Sequence, residues 1–192
     1  TFDPATSLAL QSDGKILASG YSYGSYGRDF ALARYNADGS LDTIFGSAHI
    51  LDGTPAYTEN GSAVILDSDV QLIDADLTAS HYADSTLTLA RHGGASGDDQ
   101  FSGAGIVAGQ ASGTVTVSST DIGTYTYSAG ALLITYTSAA TQALVNQALQ
   151  SLAYNNTSDA PPANAQIDWT FNDGNTGAQG DGGALSTTGS TT

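Results

Sequence analysis

"DFALARYNADGSLDTIFG", residues 29–46, places two short apolar stretches on either side of the turn sequence Asn-Ala-Asp-Gly. Asp-Gly between alternating apolar and polar residues is a strong signal for a β-hairpin. A similar pair of stretches comes before it, because "SLALQ" and "ILASGYS" flank the turn sequence Ser-Asp-Gly-Lys at residues 12–15. The two hairpins together predict four short antiparallel strands at the start of the chain.

Within the range from Ser7 to Gly46, "ALQSDGKILASG" and "DFALARYNADGSLDTIFG" resemble a delta-60 repeat, a blade-like unit found in tandem in large bacterial surface and secreted proteins. A β-propeller takes about four to eight such four-stranded blades. A single blade leaves two sheet edges and a face uncovered. The predicted blade-like unit, residues 1–47, therefore has to pack on the rest of this chain, on a neighbouring subunit or on other blades.

Residues 48–192 show the spacing of a β-sandwich, with short β-rich runs separated by Gly, Asp and Asn turns. In "IDWTF", Ile167, Trp169 and Phe171 share one face and predict a strand of the sandwich core. Thr86 to Ala90 predicts another strand. Strand-like alternation also occurs on both sides of an Asp-Ser-Asp turn, at Ala63 and Ile65 and then at Val70 and Leu72.

One stretch, "TSAATQALVNQALQSLAY", has apolar residues at helical spacing. It predicts a short helix from Ala139 to Leu152, with Ser138 as the N-cap. The expected fold class is therefore all-β, a four-stranded antiparallel blade-like unit followed by a β-sandwich with one short helix.

The second segment resembles the cadherin-like or immunoglobulin-like tandem domains of large RTX-type bacterial adhesins. The resemblance rests on "YTENGSAVILDSDVQLIDADL", "STLTLARHGG", "LAYNNTSDAPP" and "IDWTFNDGNTGAQG". It implies an Ig/cadherin-like sandwich that serves as an extension module between an anchored end and a ligand-binding end. The resemblance also implies that calcium stiffens the module.

A candidate calcium site combines Glu59 of "YTEN" with Asp74 and Asp76 of "DAD", with Asp67 or Asp69 as further ligands. Oxygen ligands from separate loops suit the six to eight positions around calcium, and two Asp residues two apart in a strand point to one face. The resemblance to cadherin-like domains supports Glu59 and the Asp-Ala-Asp pair. An ordinary acidic turn is the alternative interpretation of these residues.

The formal net charge is −15, from 19 acidic side chains, nearly all Asp, against four Lys and Arg. Nucleic acid is not an expected partner, because binding phosphates needs clustered Lys and Arg. The excess of the short carboxylate favours coordination of a hard cation.

No Cys is present, which excludes disulfides and thiolate metal sites. The sequence has no apolar run long enough to span a membrane. The chain begins with Thr1 and contains no Met, which indicates a processed product or a piece of a longer protein.

Enzymatic activity is not expected. The three histidines, His49, His81 and His92, are isolated in the sequence, and each is interpreted as a surface or loop side chain. The sequence has neither a phosphate-binding glycine loop nor a nucleophile elbow.

The resemblance of both segments to repeats of surface proteins, together with the acidity and the absence of Cys, implies a non-catalytic structural or adhesion module of a bacterial surface protein, located outside the cell or on its surface. Calcium is the expected cofactor, and the expected partners are other copies of the chain or adjacent repeats, joined into a filament where the contact does not close on itself. The competing hypothesis is a carbohydrate- or surface-binding domain. In that case Tyr21, Tyr23 and Tyr26 of the Tyr-rich loop would stack on surface glycans.

Overall fold

The structure is a computed structural model of the 192-residue chain. It describes residues 5–11, 14–24, 27–42, 51, 53–59, 61–74, 77, 81–174 and 186–192, without the side chains of 5, 22–24 and 27–31. The chain forms two compact units, Thr1–His49 and Ile50–Thr192. Each unit is described by itself below.

The first unit contains a three-stranded antiparallel sheet in the order β1-β2-β3, namely β1 (Ala5–Leu10), β2 (Ile16–Gly24) and β3 (Gly27–Tyr35). The turn after β3 follows from its sequence, because Asp38 accepts a hydrogen bond from the backbone N–H of Ser40 at 2.9 Å and Gly39 has a φ of +84°, which glycine adopts without strain. Leu41 then pairs with Tyr35 in a single bridge. The remainder of the expected fourth strand, residues 43–46, lies outside the described residues.

The second unit is a sandwich of two antiparallel sheets. One sheet has six strands in the order β12-β11-β5-β9-β8-β7, and the other has three in the order β4-β10-β6. The strands are β4 (Val64–Ile65), β5 (Thr86–Arg91), β6 (Asp99–Ser102), β7 (Ser112–Val117), β8 (Thr120–Ser128), β9 (Ala131–Tyr136), β10 (Ala153–Asn156), β11 (Ile167–Asn172) and β12 (Ser186–Thr191). The expected all-β class is confirmed.

The core of the second unit lies between the two sheets. In β11, Ile167, Trp169 and Phe171 are buried and alternate with more exposed residues, as the sequence predicts for a core strand. Phe101 of β6 and Tyr154 of β10 belong to the same buried cluster. Side chains of a strand alternate between faces, and the described residues on the opposite face of the six-stranded sheet are half-buried or exposed.

Helix α1 (Gln142–Ser151) confirms the expected helix, but it begins three residues later than predicted. Ser138 is not the N-cap. Thr141 takes this position, with its side chain accepting a hydrogen bond from the N–H of Leu144, because residues 137–140 form a turn in which the Ala140 N–H bonds to the Thr137 carbonyl at 2.9 Å. Within the described part of the chain, no helix is long and apolar enough to cross a bilayer.

The expected strand through Val70 and Leu72 does not form, since β4 ends at Ile65 and the segment pairs with no other strand. The backbone of this segment binds the helix side chains. Asn146 accepts from the Leu72 N–H at 3.1 Å, Gln142 donates to the Leu72 carbonyl, and Gln150 donates to the Val70 carbonyl at 3.0 Å. These three amides lie at i, i+4 and i+8 on one side of α1, and we call them the amide stripe.

Candidate functional site

The residues expected to bind calcium lie in three different settings. Glu59 and Asp69 are exposed, Asp67 is buried and Asp74 is half-buried. Asp76 lies outside the described residues. Among the residues that the structure does describe, no group of three or more His, Asp or Glu side chains is close enough together to hold a metal ion.

Asp67 organises the turn between β4 and the segment that follows it. One carboxylate oxygen accepts hydrogen bonds from the backbone N–H groups of Asp69 and Val70, at 3.2 and 2.9 Å. The other accepts from the Gly53 N–H at 3.0 Å. Short Asp side chains commonly bond the backbone a few residues on and so fix a turn. Asp67 therefore joins the start of the second unit to the turn that leads to Asp74.

Asp74 follows directly after the segment held by the amide stripe, and one of its oxygens accepts from the Leu77 N–H at 3.0 Å. It lines a pocket of about 280 Å³ together with Asp173, which follows β11. Leu72, Ile73, Phe171, Ser186 and Thr187 form the rest of the pocket wall. The fold thus brings together two carboxylates that the sequence places far apart.

The aromatic residues expected to stack on glycans are only partly described. Tyr21 lies in β2, is partly buried and pairs across the sheet with Phe30. Tyr23 lies in the same strand, but its side chain is outside the described residues, and so is the whole of Tyr26. The glycan-stacking role of this loop stays a prediction.

One face of the three-stranded sheet is apolar and exposed. Leu10 pairs with Ile16, Ile16 with Tyr35, and Tyr35 with Leu41, so these four residues form a row across the sheet. Leu8 lies on the same face, beside this row. The exposed fractions are 76% for Leu10, 70% for Leu8, 53% for Leu41 and 37% for Tyr35. We call the face formed by these five residues the apolar face.

The opposite face of this sheet carries an ion cluster. Asp42 accepts hydrogen bonds from Lys15 Nζ at 2.9 Å and from Arg34 Nε at 2.8 Å, and it is 5% exposed. The hydrogen bond from Lys15 lowers the pKa of Asp42, and Arg34 adds to this effect, while burial opposes it. The charges of Lys15, Arg34 and Asp42 are thus paired within the sheet. This pairing lowers the free-energy cost of burying the face with the ion cluster against another surface.

A buried polar network in the second unit was not predicted. Asp99 of β6 is fully buried and accepts hydrogen bonds from Tyr154 at 2.7 Å, from Asn156 at 2.9 Å and from Arg91. Its other oxygen accepts from the Ser96 N–H at 3.0 Å. The sequence does contain a signal for this network. Arg91 is the single Lys or Arg after residue 49, and it directly follows the strand predicted from Thr86 to Ala90. A cation in that position needs a buried acid as its partner.

Comparison with known proteins finds one family. Residues 11–45 match the family described as a domain of unknown function (DUF5122), beta-propeller. This match covers less than one fifth of the chain and supports a blade-like repeat in the first unit. No curated protein and no solved structure matches the chain. The likeness of the second unit to cadherin-like domains stays a prediction.

Proposed function

We propose that this chain is a non-catalytic structural or adhesion module of a bacterial surface protein. Its first unit joins neighbouring copies or repeats through the apolar face, and its second unit is an Ig/cadherin-like sandwich stiffened by calcium. The observation that carries the proposal is the exposure of the apolar face, at 76% for Leu10 and 70% for Leu8.

The physical argument for assembly is the cost of leaving this face in water. Covering a Leu side chain fully contributes roughly 1.5–3 kcal/mol relative to leaving it exposed. Large contiguous apolar patches are uncommon on soluble monomers and mark interaction sites. Residues 11–45 match a β-propeller family, and in a propeller each blade packs against neighbouring blades. This match supports the proposal that another β-sheet packs on the apolar face.

A contact between two different faces of the first unit would also explain how many copies join in succession. The apolar face and the face with the Lys15–Arg34–Asp42 cluster differ in chemistry. When one surface of a chain meets a different surface of the next, the contact is heterologous and repeats without limit unless the rotation closes a ring. A filament of copies or of tandem repeats is the expected product.

The calcium part of the proposal rests on Asp74 and Asp173, which line one pocket. Carboxylates delivered by separate loops suit calcium, which binds through six to eight oxygens. Asp76 is a further proposed ligand, whereas Glu59 forms no group of three with Asp74 and Asp173 among the described residues. The acidity of the chain and its lack of Cys support a location outside the cell or on its surface.

Replacing Leu8 and Leu10 tests the assembly. Wild-type chain should show a sedimentation coefficient that rises with concentration, and Leu8→Thr/Leu10→Thr should abolish this rise while keeping residues that favour strands. Ile65→Thr/Val107→Thr is the matched control, since both residues are about half exposed but lie in the second unit. Equal concentration dependence in all three proteins would refute assembly through the apolar face.

Calcium binding is tested by thermal unfolding in millimolar calcium and in excess chelator. An ion that binds only the folded state raises the unfolding midpoint. We expect calcium to raise the midpoint of the wild type, and we expect Asp74→Asn or Asp173→Asn to reduce this shift. Asp121→Asn removes an exposed carboxylate elsewhere in the same unit and should leave the shift unchanged. Identical midpoints for the wild type in calcium and chelator would contradict the calcium site.

A further inference from the structure

The outer face of the six-stranded sheet carries two continuous rows of side chains that cross all six strands. The register pairs each residue of a row with the next on the neighbouring strand. We call these rows the hydroxyl rows. The first is Ser186, Asn172, Thr86, Thr135, Thr124 and Thr114, and the second is Thr188, Thr170, Thr88, Leu133, Thr126 and Ser112.

Eight of these twelve residues are Thr, two are Ser, and none is charged or buried. Thr favours exposed strands, but strand preference does not explain why neither row contains an acidic residue in a chain that has 19 of them. Each hydroxyl both donates and accepts a hydrogen bond. Neighbouring hydroxyls repeat about every 4.8 Å across the strands and roughly 6.8 Å along them.

A shallow polar cleft of about 370 Å³ adjoins the second row at the β11–β12 end of the sheet. It is lined by His92, Gln166, Asp168, Thr170, Thr188, Gly189 and Ser190. Asp168 points outward from β11 and stands directly opposite Ser190 of β12. The cleft therefore joins a carboxylate to the hydroxyls of two adjacent strands.

The carboxylate of Asp168 is held in a fixed orientation. Gln166 Nε2 donates to one oxygen at 2.9 Å, and His92 Nδ1 lies 2.7 Å from the other. Burial by itself raises the pKa of Asp168, but the hydrogen bonds from Gln166 and His92 outweigh it and the net pKa lies below the usual value. An ionised carboxylate offers about four lone-pair sites, so each oxygen retains capacity for an incoming donor.

We propose that this cleft and the hydroxyl rows bind a neutral saccharide chain. Asp168 accepts hydrogen bonds from sugar hydroxyls in the cleft, and the Thr hydroxyls of the rows donate to and accept from the sugars that follow. The ligand is not a polyanion, because the second unit carries a single Arg among many carboxylates and repels negative charge. A polar ligand is required, since Leu133 is the one apolar side chain in the rows.

This site is independent of the assembly proposed above. It lies wholly in the second unit and uses neither the apolar face nor the proposed calcium ligands. It also differs from the Tyr-rich loop, which belongs to the first unit. Loss of assembly therefore leaves the saccharide proposal intact, and the reverse also holds.

Affinity electrophoresis of the full chain in gels that contain dextran, laminarin or hydroxyethyl cellulose tests the proposal. At least one of these neutral polysaccharides should retard the wild type. Asp168→Asn and Thr170→Val/Thr188→Val should each weaken retardation about tenfold, which corresponds to about 1.4 kcal/mol. Asp168→Asn weakens hydrogen bonds to a charged group, and Thr170→Val/Thr188→Val removes two neutral hydrogen-bonding hydroxyls. Val keeps the shape and the strand preference of Thr.

Asp159→Asn and Thr54→Val are the controls, since both residues are exposed in the same unit and lie outside the cleft and the rows. Retardation of these controls equal to that of the wild type would support the proposal. It is overturned if no neutral polysaccharide retards the wild type, if the cleft variants bind as the wild type does, or if only an anionic polysaccharide such as alginate is bound.

Discussion

Tyr136 and Tyr154 are both buried tyrosines, yet their hydroxyls differ in surroundings. Tyr154 donates to the buried carboxylate of Asp99 at 2.7 Å. The hydroxyl of Tyr136 is buried and has no hydrogen-bond partner among the residues that the structure describes, and burial raises the pKa of this side chain. A buried polar group without a partner costs free energy, so the two hydroxyls have opposite effects on stability.

Removing each hydroxyl tests this difference. Tyr136→Phe should leave the free energy of unfolding unchanged or raise it by up to about 1 kcal/mol, because no hydrogen bond is lost. Tyr154→Phe should lower it by roughly 1.5–3 kcal/mol, because a bond to a charged group is lost. Urea unfolding followed by the fluorescence of Trp169, which lies in the same core, measures both changes. A larger loss for Tyr136→Phe than for Tyr154→Phe would contradict the assigned hydrogen bonds.

Asp42 makes the stability of the first unit depend on pH. Its pKa is lowered in the folded state, by Lys15 first and then by Arg34. A group with a lowered folded pKa stabilises the fold above its unfolded pKa, about 3.9 for Asp, and this stabilisation is lost as the pH falls through the folded pKa.

We therefore expect the sheet of the first unit to lose stability progressively below about pH 4. Asp42→Asn should be less stable than the wild type at pH 7 and should lose less stability on acidification. Amide NMR signals of β1 to β3, followed against temperature at each pH, report on this unit alone. A pH dependence of equal size in both proteins would show that Asp42 is not responsible.

Helix α1 shows how much of an element can be predicted from sequence. Its existence follows from apolar spacing, but its start does not, because Ala140 is fully buried and its carbonyl accepts from the Tyr82 N–H, a contact distant in sequence. The amide stripe was overlooked for a related reason. Gln142, Asn146 and Gln150 are visible at i, i+4 and i+8, yet what they bind depends on the fold.

Asn146→Leu tests the role of the amide stripe. The Leu72 N–H would lose its acceptor, so the free energy of unfolding should fall by about 1–3 kcal/mol, and the Leu72 amide should exchange faster with solvent. Gln147→Leu is the matched control, because Gln147 is an exposed residue of the same helix. Unchanged exchange at Leu72 in Asn146→Leu would contradict the stripe.

At the scale of the whole molecule, local patterns correctly predicted the first hairpin and the core strand around Trp169. Contacts between distant segments escaped this reasoning. The pairing of Arg91 with Asp99, the shared pocket of Asp74 and Asp173, and the hydroxyl rows all depend on strand register and loop placement. Sequence spacing fixes which residues share a face of one strand, but it does not fix which strands are neighbours.

The two units also differ in charge. Three of the four cationic side chains, Lys15, Arg28 and Arg34, lie in the first unit, whereas the second unit holds 14 of the 19 acidic ones. Repulsion between acidic sandwiches opposes close packing of copies, and calcium or salt weakens it. Assembly is therefore expected to be stronger in calcium than in chelator at the same ionic strength.

Multi-angle light scattering of the chain over a range of concentrations, in millimolar calcium and in chelator, tests the proposed assembly most directly. We predict a mass that grows with concentration beyond the 19.4 kDa of one chain, and that grows further in calcium. A mass of one chain at every concentration, with and without calcium, would contradict an assembling module.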